Sequence, residues 1–244
     1  MAFLFILAEA SRAWQRSSGV SELQPLPAGI TLPVQMGRTL RAGKTKPGTV
    51  FVVKTTQRVP VSETSYLNKG AKVRGEVVAS AAGDGTAAHP SMLTIRFTAL
   101  NYRGKTVPLV TRAIAIANLM AVEYTYVPAT GSADCGNFTA TNWTTRQVGG
   151  DEVYRSGWVG DVNDVTTHKV GNADYYGVYS LPVKIDGEKV PLAMGVFSTT
   201  AKGLYAYDPG ATLESSGGLI TVTSPEKHLA IRNGDNLLLE VLAR

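Results

Sequence analysis

The chain has 244 residues, 44% of them hydrophobic and only 18% charged; that length suits one large β domain or two small ones, and the even spread of apolar residues excludes disorder along the whole chain. A mean hydropathy of +0.01 excludes a chain embedded in the membrane throughout. The formal charge of +5 comes from scattered residues whose densest group, Arg38, Arg41, Lys44 and Lys46, lies in an early loop without interleaved aromatics, so no nucleic-acid partner is expected.

Residues 1–24 read as a leader and linker. Ala2 to Ala8 is apolar and runs into small residues up to Ala13, like the core and end of a secretory signal without its positive start. A short amphipathic helix and a buried first strand are the other readings, and the stretch is too short to span a bilayer as a helix. From residue 25 to 244 the pattern is β. Thr31 to Met36 alternates around Pro33, and a proline belongs at an edge, which predicts a peripheral strand. Thr49 to Thr56 is rich in β-branched residues and predicts a strand. Ala71 to Ala79 and Met92 to Leu100 follow; in the latter Leu93, Ile95 and Phe97 share one face and Thr94, Arg96 and Thr98 the other. A turn at Asn101 to Gly104 leads into Thr106 to Ala117. Ala113 to Met120 reads equally as strand or short helix, because Ala, Leu and Met favour the helix.

Residues 122–175 are polar, Gly-rich and aromatic, and read as a long loop-rich insertion around short strands. Alternation returns at Tyr176 to Leu181. Val183 to Val190 is a hairpin whose Asp186-Gly187 turn supplies positive φ. Ala193 to Ser198, Leu204 to Tyr207, Leu219 to Thr223, His228 to Ile231 and Asn236 to Leu242 complete the pattern. The fold class is all-β, a single β-barrel or β-sandwich with a loop-rich middle insertion.

The stretch from Leu26 to Leu109 resembles the TrbI-like periplasmic β-barrel domain of conjugation and type IV secretion machines. The likeness is carried by the turn at Pro27 and Gly29, the turn at Pro47 and Gly48, the Lys69 to Gly75 turn-strand, the Leu93, Ile95, Phe97 strand and the Gly104 hairpin, with a closing strand after Gly234. It implies a barrel in the bacterial envelope, shared with related exported β proteins. Members of secretion channels insert an apolar helical pair; the corresponding residues 122–175 here are polar and cannot supply a membrane helix.

Catalytic constellations are thin. His89, His168 and His228 are far apart, and Cys135 is the lone cysteine, so neither a disulfide within the chain nor a cysteine-rich zinc site is expected. No nucleophile elbow, phosphate loop or dinucleotide fingerprint occurs. No catalytic residue, metal or cofactor is therefore assigned. Asp161 and Asp164 sit in an Asx-rich turn, with His168 nearby. Asp151 and Glu152 follow a Gly-Gly pair. Trp143, Tyr154 and Trp158 belong to an aromatic set, with Tyr124, Tyr126, Phe138, Tyr175, Tyr176 and Tyr179, that either stacks on a ligand or plugs the core. The candidate binding residues are thus Trp143, Asp151, Glu152, Tyr154, Trp158, Asp161, Asp164 and His168. The expectation is an exported, periplasmic or secreted protein with a structural or binding role towards envelope proteins or cell-wall polymer, in which an oligomer would be compatible. A hydrolase of polysaccharide or peptide using Asp151, Glu152, Asp161 and His168, or a secretion-channel subunit, are the alternatives.

Overall fold

The computed structural model describes residues 25–102, 104–126, 142–150, 153–156 and 159–243. The leader, Cys135, Phe138, Asp151, Glu152 and Trp158 lie outside them. The first strands in chain order are β1 (Thr31–Met36), β2 (Leu40–Arg41), β3 (Val50–Thr55), β4 (Val59–Pro60), β5 (Tyr66–Leu67), β6 (Lys72–Ala81), β7 (Ser91–Tyr102), β8 (Lys105–Pro108) and β9 (Thr111–Ala117). A short helix, α1 (Leu119–Tyr124), follows. The second half carries β10 (Asn142–Thr145), β11 (Val153–Ser156), β12 (Gly160–Asn163), β13 (Lys169–Asp174), β14 (Gly177–Ile185), β15 (Glu188–Ala193), β16 (Gly203–Tyr205), β17 (Thr212–Ser216), β18 (Leu219–Ser224), β19 (Ala230–Ile231) and β20 (Asn236–Val241).

The all-β expectation holds, in a nearly closed barrel. Its strands run β16-β9-β20-β1-β3-β6-β7-β18-β17, with β8 added to β7. Alternation decides which face fills it. In β3, Phe51, Val53 and Thr55 point in while Val50, Val52 and Lys54 point out. In β6, Val73, Gly75 and Val77 point in beneath outward Lys72 and Arg74. Leu93, Ile95 and Phe97 line the inside of β7, as the sequence predicts. Phe51 meets Phe97 edge to face, with ring centroids 5.7 Å apart. Gly75 makes that contact possible, because a Cβ there would lie 2.4 Å from the Phe51 ring. The outward rows carry Lys54, Lys72, Arg74 and the Glu76–Arg96 ion pair beside exposed Val50 and Val52. Among the described residues no helix is long and apolar enough to cross a membrane.

β1 is not peripheral: it pairs with β20 on one side and β3 on the other. Pro33 is tolerated because its β3-facing side lies at the last rung of that ladder, where only its carbonyl is needed, accepting the Thr56 N–H at 2.9 Å. In the ambiguous stretch, strand continues through Ala117 and the helix begins only at Leu119. Ile114 is an extra residue opposite the Leu238–Leu239 step, a bulge that breaks strict alternation. Asn118 then caps α1 by accepting the Ala121 N–H.

The middle region also forms a sheet. Strands β10 to β15 pair consecutively in a six-stranded antiparallel meander, which starts inside residues 122–175 and continues to Ala193. Asp186 and Gly187 both have positive φ at the β14–β15 turn, as the hairpin requires. Tyr179, Ile185, Val190 and Ala193 join the barrel's apolar core, and the Thr31 hydroxyl donates to the Ala193 carbonyl at 2.6 Å.

The barrel closes through a side chain. The Ser215 hydroxyl accepts from the Ala113 N–H at 3.0 Å and sits 3.3 Å from the Ala113 carbonyl, to which it donates. It thereby satisfies backbone groups of β9 that a paired strand would otherwise take. Ser215→Ala should lower stability by about 1–2 kcal/mol, read as a shift in the denaturation midpoint; an unchanged midpoint would show that the seam does not depend on this hydroxyl.

Candidate functional site

A groove of about 970 Å³ runs along the junction between the barrel and the meander, near the upper end of the roughly 300–1,000 Å³ typical of ligand pockets. Its floor is set by Gln57, immediately past β3 and only 5% exposed. The Gln57 Nε2 donates to the Val178 carbonyl at 2.9 Å, and Oε1 accepts from the N–H groups of Val178 at 3.2 Å and Gly195 at 2.9 Å. The amide therefore offers β14 the same donor and acceptor that another strand would. Gly177 must lack a side chain here, since a Cβ would fall 2.5 Å from the Gln57 carboxamide carbon.

The next residue continues the docking. The Arg58 N–H donates to the Tyr176 carbonyl at 3.2 Å. Its guanidinium lies 3.2 Å from the Tyr176 ring centroid and 5.2 Å from that of Tyr66, a cation–π arrangement that holds both arginine and ring. Asp174 shapes the turn between β13 and β14: its Oδ1 accepts from the N–H groups of Tyr176 at 2.7 Å and Gly177 at 2.9 Å. That turn exposes Tyr175 by 79% and Tyr176 by 53%. Tyr126, just past α1 and 74% exposed, adds a third ring to the lining, with Thr56, Asn68 and Lys69 as polar wall. The Tyr179 hydroxyl is buried nearby, within the influence of Asp174 and Arg58. Burial pushes its pKa up, the Asp174 charge pushes it further, and Arg58 partly opposes both.

The candidates read from the sequence lie elsewhere. Trp143 and Tyr154 belong to β10 and β11, at the meander edge remote from β15. Asp161, Asp164 and His168 are brought together around the β12–β13 hairpin. Asp164 Oδ1 accepts the N–H groups of Thr166 and His168, each at 2.9 Å, and the Thr166 hydroxyl at 2.7 Å. The Thr166 hydroxyl leads in holding the Asp164 carboxyl below its usual range. Asp161 pairs with Lys169 at 2.7 Å. These bonds shape the turn. The strand between His168 and Asp174 is six residues long, or about 20 Å at the usual rise, so the hairpin and the groove occupy opposite ends of β13. Among the described residues no group of three His, Cys, Asp or Glu side chains is placed to hold a metal ion.

Sequence reading placed Tyr126, Tyr175 and Tyr176 in the aromatic set but did not bring them together. Gln57, Arg58 and Asn68 carry no signal in the sequence, and Lys69 is legible only as the start of a turn. One was present at Asp174 to Gly177: two adjacent tyrosines at a turn tip, where turn residues are ordinarily small and polar. Comparison with family models, curated proteins and solved structures finds no match for the chain.

Gln57→Ala takes the side-chain acceptor from the N–H groups of Val178 and Gly195 and one of two donors from the Val178 carbonyl, which keeps the Met194 N–H. It should cost about 3 kcal/mol in chemical denaturation and accelerate amide exchange at Gly195. Exchange there as slow as in the unsubstituted protein would contradict the docking role.

Proposed function

We propose that the chain is a non-catalytic binding protein of the bacterial envelope, and that the junction groove takes a segment of cell-wall glycan. The carrying observation is the set of solvent-facing rings of Tyr126, Tyr175 and Tyr176 around a groove whose backbone is locked from below by Gln57 and Asp174. Tyrosine offers a flat apolar face and a polar tip while freezing few rotatable bonds. A sugar ring presents the matching pair, an apolar face of C–H groups and an equatorial rim of hydroxyls. Thr56, Asn68 and Lys69 supply donors and acceptors for that rim.

Binding is favoured over hydrolysis by the chemistry of the lining. Glycoside hydrolysis ordinarily uses two carboxyl groups flanking the scissile bond. Asp174 is the single carboxylate among the described residues lining the groove, and one of its oxygens is engaged by two backbone N–H groups. An envelope location is supported by the apolar stretch from Ala2 to Ala8 and by the resemblance of the Leu26 to Leu109 phrase to exported barrel domains.

Co-sedimentation with purified peptidoglycan sacculi tests this. The unsubstituted protein should pellet saturably, and Tyr126→Ala with Tyr175→Ala should weaken binding roughly tenfold or more without moving the denaturation midpoint, both rings being exposed. Equal pelleting of the two proteins, or none by either, would overturn the assignment.

A further inference from the structure

We propose a second ligand site, an anion cradle on the short β2–β19 ladder, that binds a phosphate-bearing group. The ladder pairs Arg41 with Ala230 and Leu40 with Ile231. Directly opposed residues share a face, and so do residues two apart on one strand. Arg41 and Ala230 therefore share a face, and His228 and Arg232, which flank the two-residue strand, line the same pocket, while Leu40, Leu229 and Ile231 are core residues, each no more than 2% exposed. Ala230, at the centre of the outward face, is too small to fill the space between its cationic neighbours. The result is a pocket of about 480 Å³, lined also by Thr39, Lys44 and Lys227.

The cluster is assembled from distant parts of the sequence. Arg41 and Lys44 come from the basic loop that composition singled out; Lys227, His228 and Arg232 come from the segment before the last strand. No acidic side chain lines the pocket. Arg41, Lys44, Lys227 and His228 are exposed. Gathering like charges is unfavourable unless an anion joins them, and the planar guanidinium groups of Arg41 and Arg232 suit bidentate contact with phosphate oxygens.

The walls are fixed before any ligand arrives. The Arg41 carbonyl accepts from the N–H groups of Lys44 at 3.1 Å and Thr45 at 2.8 Å, and the Arg41 N–H donates to Thr45 Oγ1 at 2.8 Å. The Ala42 N–H donates to the Leu229 carbonyl at 3.0 Å, and the Gly43 N–H to Ser80 Oγ at 2.9 Å. Gly43, at φ +70°, lies so close to the neighbouring chain that a Cβ would meet Ala82 at 2.4 Å; one on Gly83 would meet the Ser91 nitrogen at 2.5 Å. A backbone fixed in this way needs no ordering of its own when the exposed side chains close on a ligand. Its volume exceeds the needs of a lone phosphate and suits a diphosphate or a phosphorylated headgroup. Such a group could be free or carried by a lipid, and the chemistry recognised is the same.

Inorganic pyrophosphate titrated calorimetrically, and flotation with phosphatidylglycerol vesicles, separate the two sources. The test variant is Arg41→Gln with Lys227→Gln; the control is Lys54→Gln with Lys72→Gln, which removes equal charge from the outward barrel face. Single-site pyrophosphate binding that weakens with salt, falls roughly tenfold or more in the test variant and persists in the control supports a free ligand. Vesicle binding without pyrophosphate binding, lost in the test variant alone, supports a lipid-borne phosphate. Binding to neither probe, or equal losses in both variants, overturns the proposal. Because these side chains project from the surface, folding of each variant should be unaltered by circular dichroism.

Discussion

Phe51 packs edge to face on Phe97 inside the barrel, and Gly75, on the strand between theirs, has no side chain to hold the rings apart. A closed sheet must fill its own inside, and close packing leaves little room for error in volume. β3, β6 and β7 curve enough to accommodate these rings, and the ladder slips where they do so, at Arg74–Gly75 and again at Val77–Ala79. Such bulges bend a strand and strengthen its twist. Bending brings the far end of the sheet, β17, back to β9. What remains at the seam is too irregular for a full ladder. Ser215 there supplies hydrogen bonds that backbone pairing does not.

Both surface sites form where barrel pairing gives way to something else. At the end of β3 the backbone partner of β1 has run out, and Gln57 extends the pairing by a side chain that engages β14 and Gly195. The groove is the crevice left between two sheets joined by such local contacts and by a shared core. At the other site, β2 and β19 form a ladder of their own, with one face in the core and one in water. A ladder that short leaves its flanking residues free to carry charge. The two sites accordingly differ in chemistry: exposed rings over a polar wall at one, converging cations at the other.

The barrel strands were legible because their information is local. β3 alternates throughout, β6 does so from Lys72 to Val77 and β7 presents Leu93, Ile95 and Phe97 inward, while Asp186-Gly187 suits a tight hairpin turn. β17, read as Thr-Leu-Glu-Ser-Ser, was missed because its inward apolar signal is a single leucine, Leu213. Pro33 misled because the rule for prolines concerns one ladder, whereas that residue faces the end of one and the middle of another. Ile114 hid the strand before α1 because an inserted residue puts the period out of step. The sites were less legible still. Gln57 meets Val178, and Arg41 lies opposite Ala230, only because the chain folds back over long intervals. Neither pair has a spacing that sequence alone could flag.

One buried carboxylate ties these parts together. Asp235 is fully buried, and burial raises its pKa against the pull of its donors. Its Oδ1 accepts the Leu119 N–H at 2.9 Å, and Oδ2 accepts the Arg232 N–H at 2.6 Å and the Tyr207 hydroxyl at 3.0 Å. Three segments are thereby joined: the start of the helix that leads to Tyr126, the backbone beneath the Arg232 cradle, and the strand-flanking loop at Tyr207. A carboxylate suits this position because it only accepts, with lone pairs on both oxygens. An asparagine would turn donors towards at least one of these partners, and an apolar residue would strand all three. The raised pKa is the sign that desolvation outweighs those bonds in setting the proton equilibrium. As pH rises through the folded-state pKa, ionisation therefore costs the folded protein more than the unfolded chain, and the bonus carried by the protonated form at lower pH is lost. In return for burying this carboxyl the fold gains a fixed junction between helix, loop and cradle.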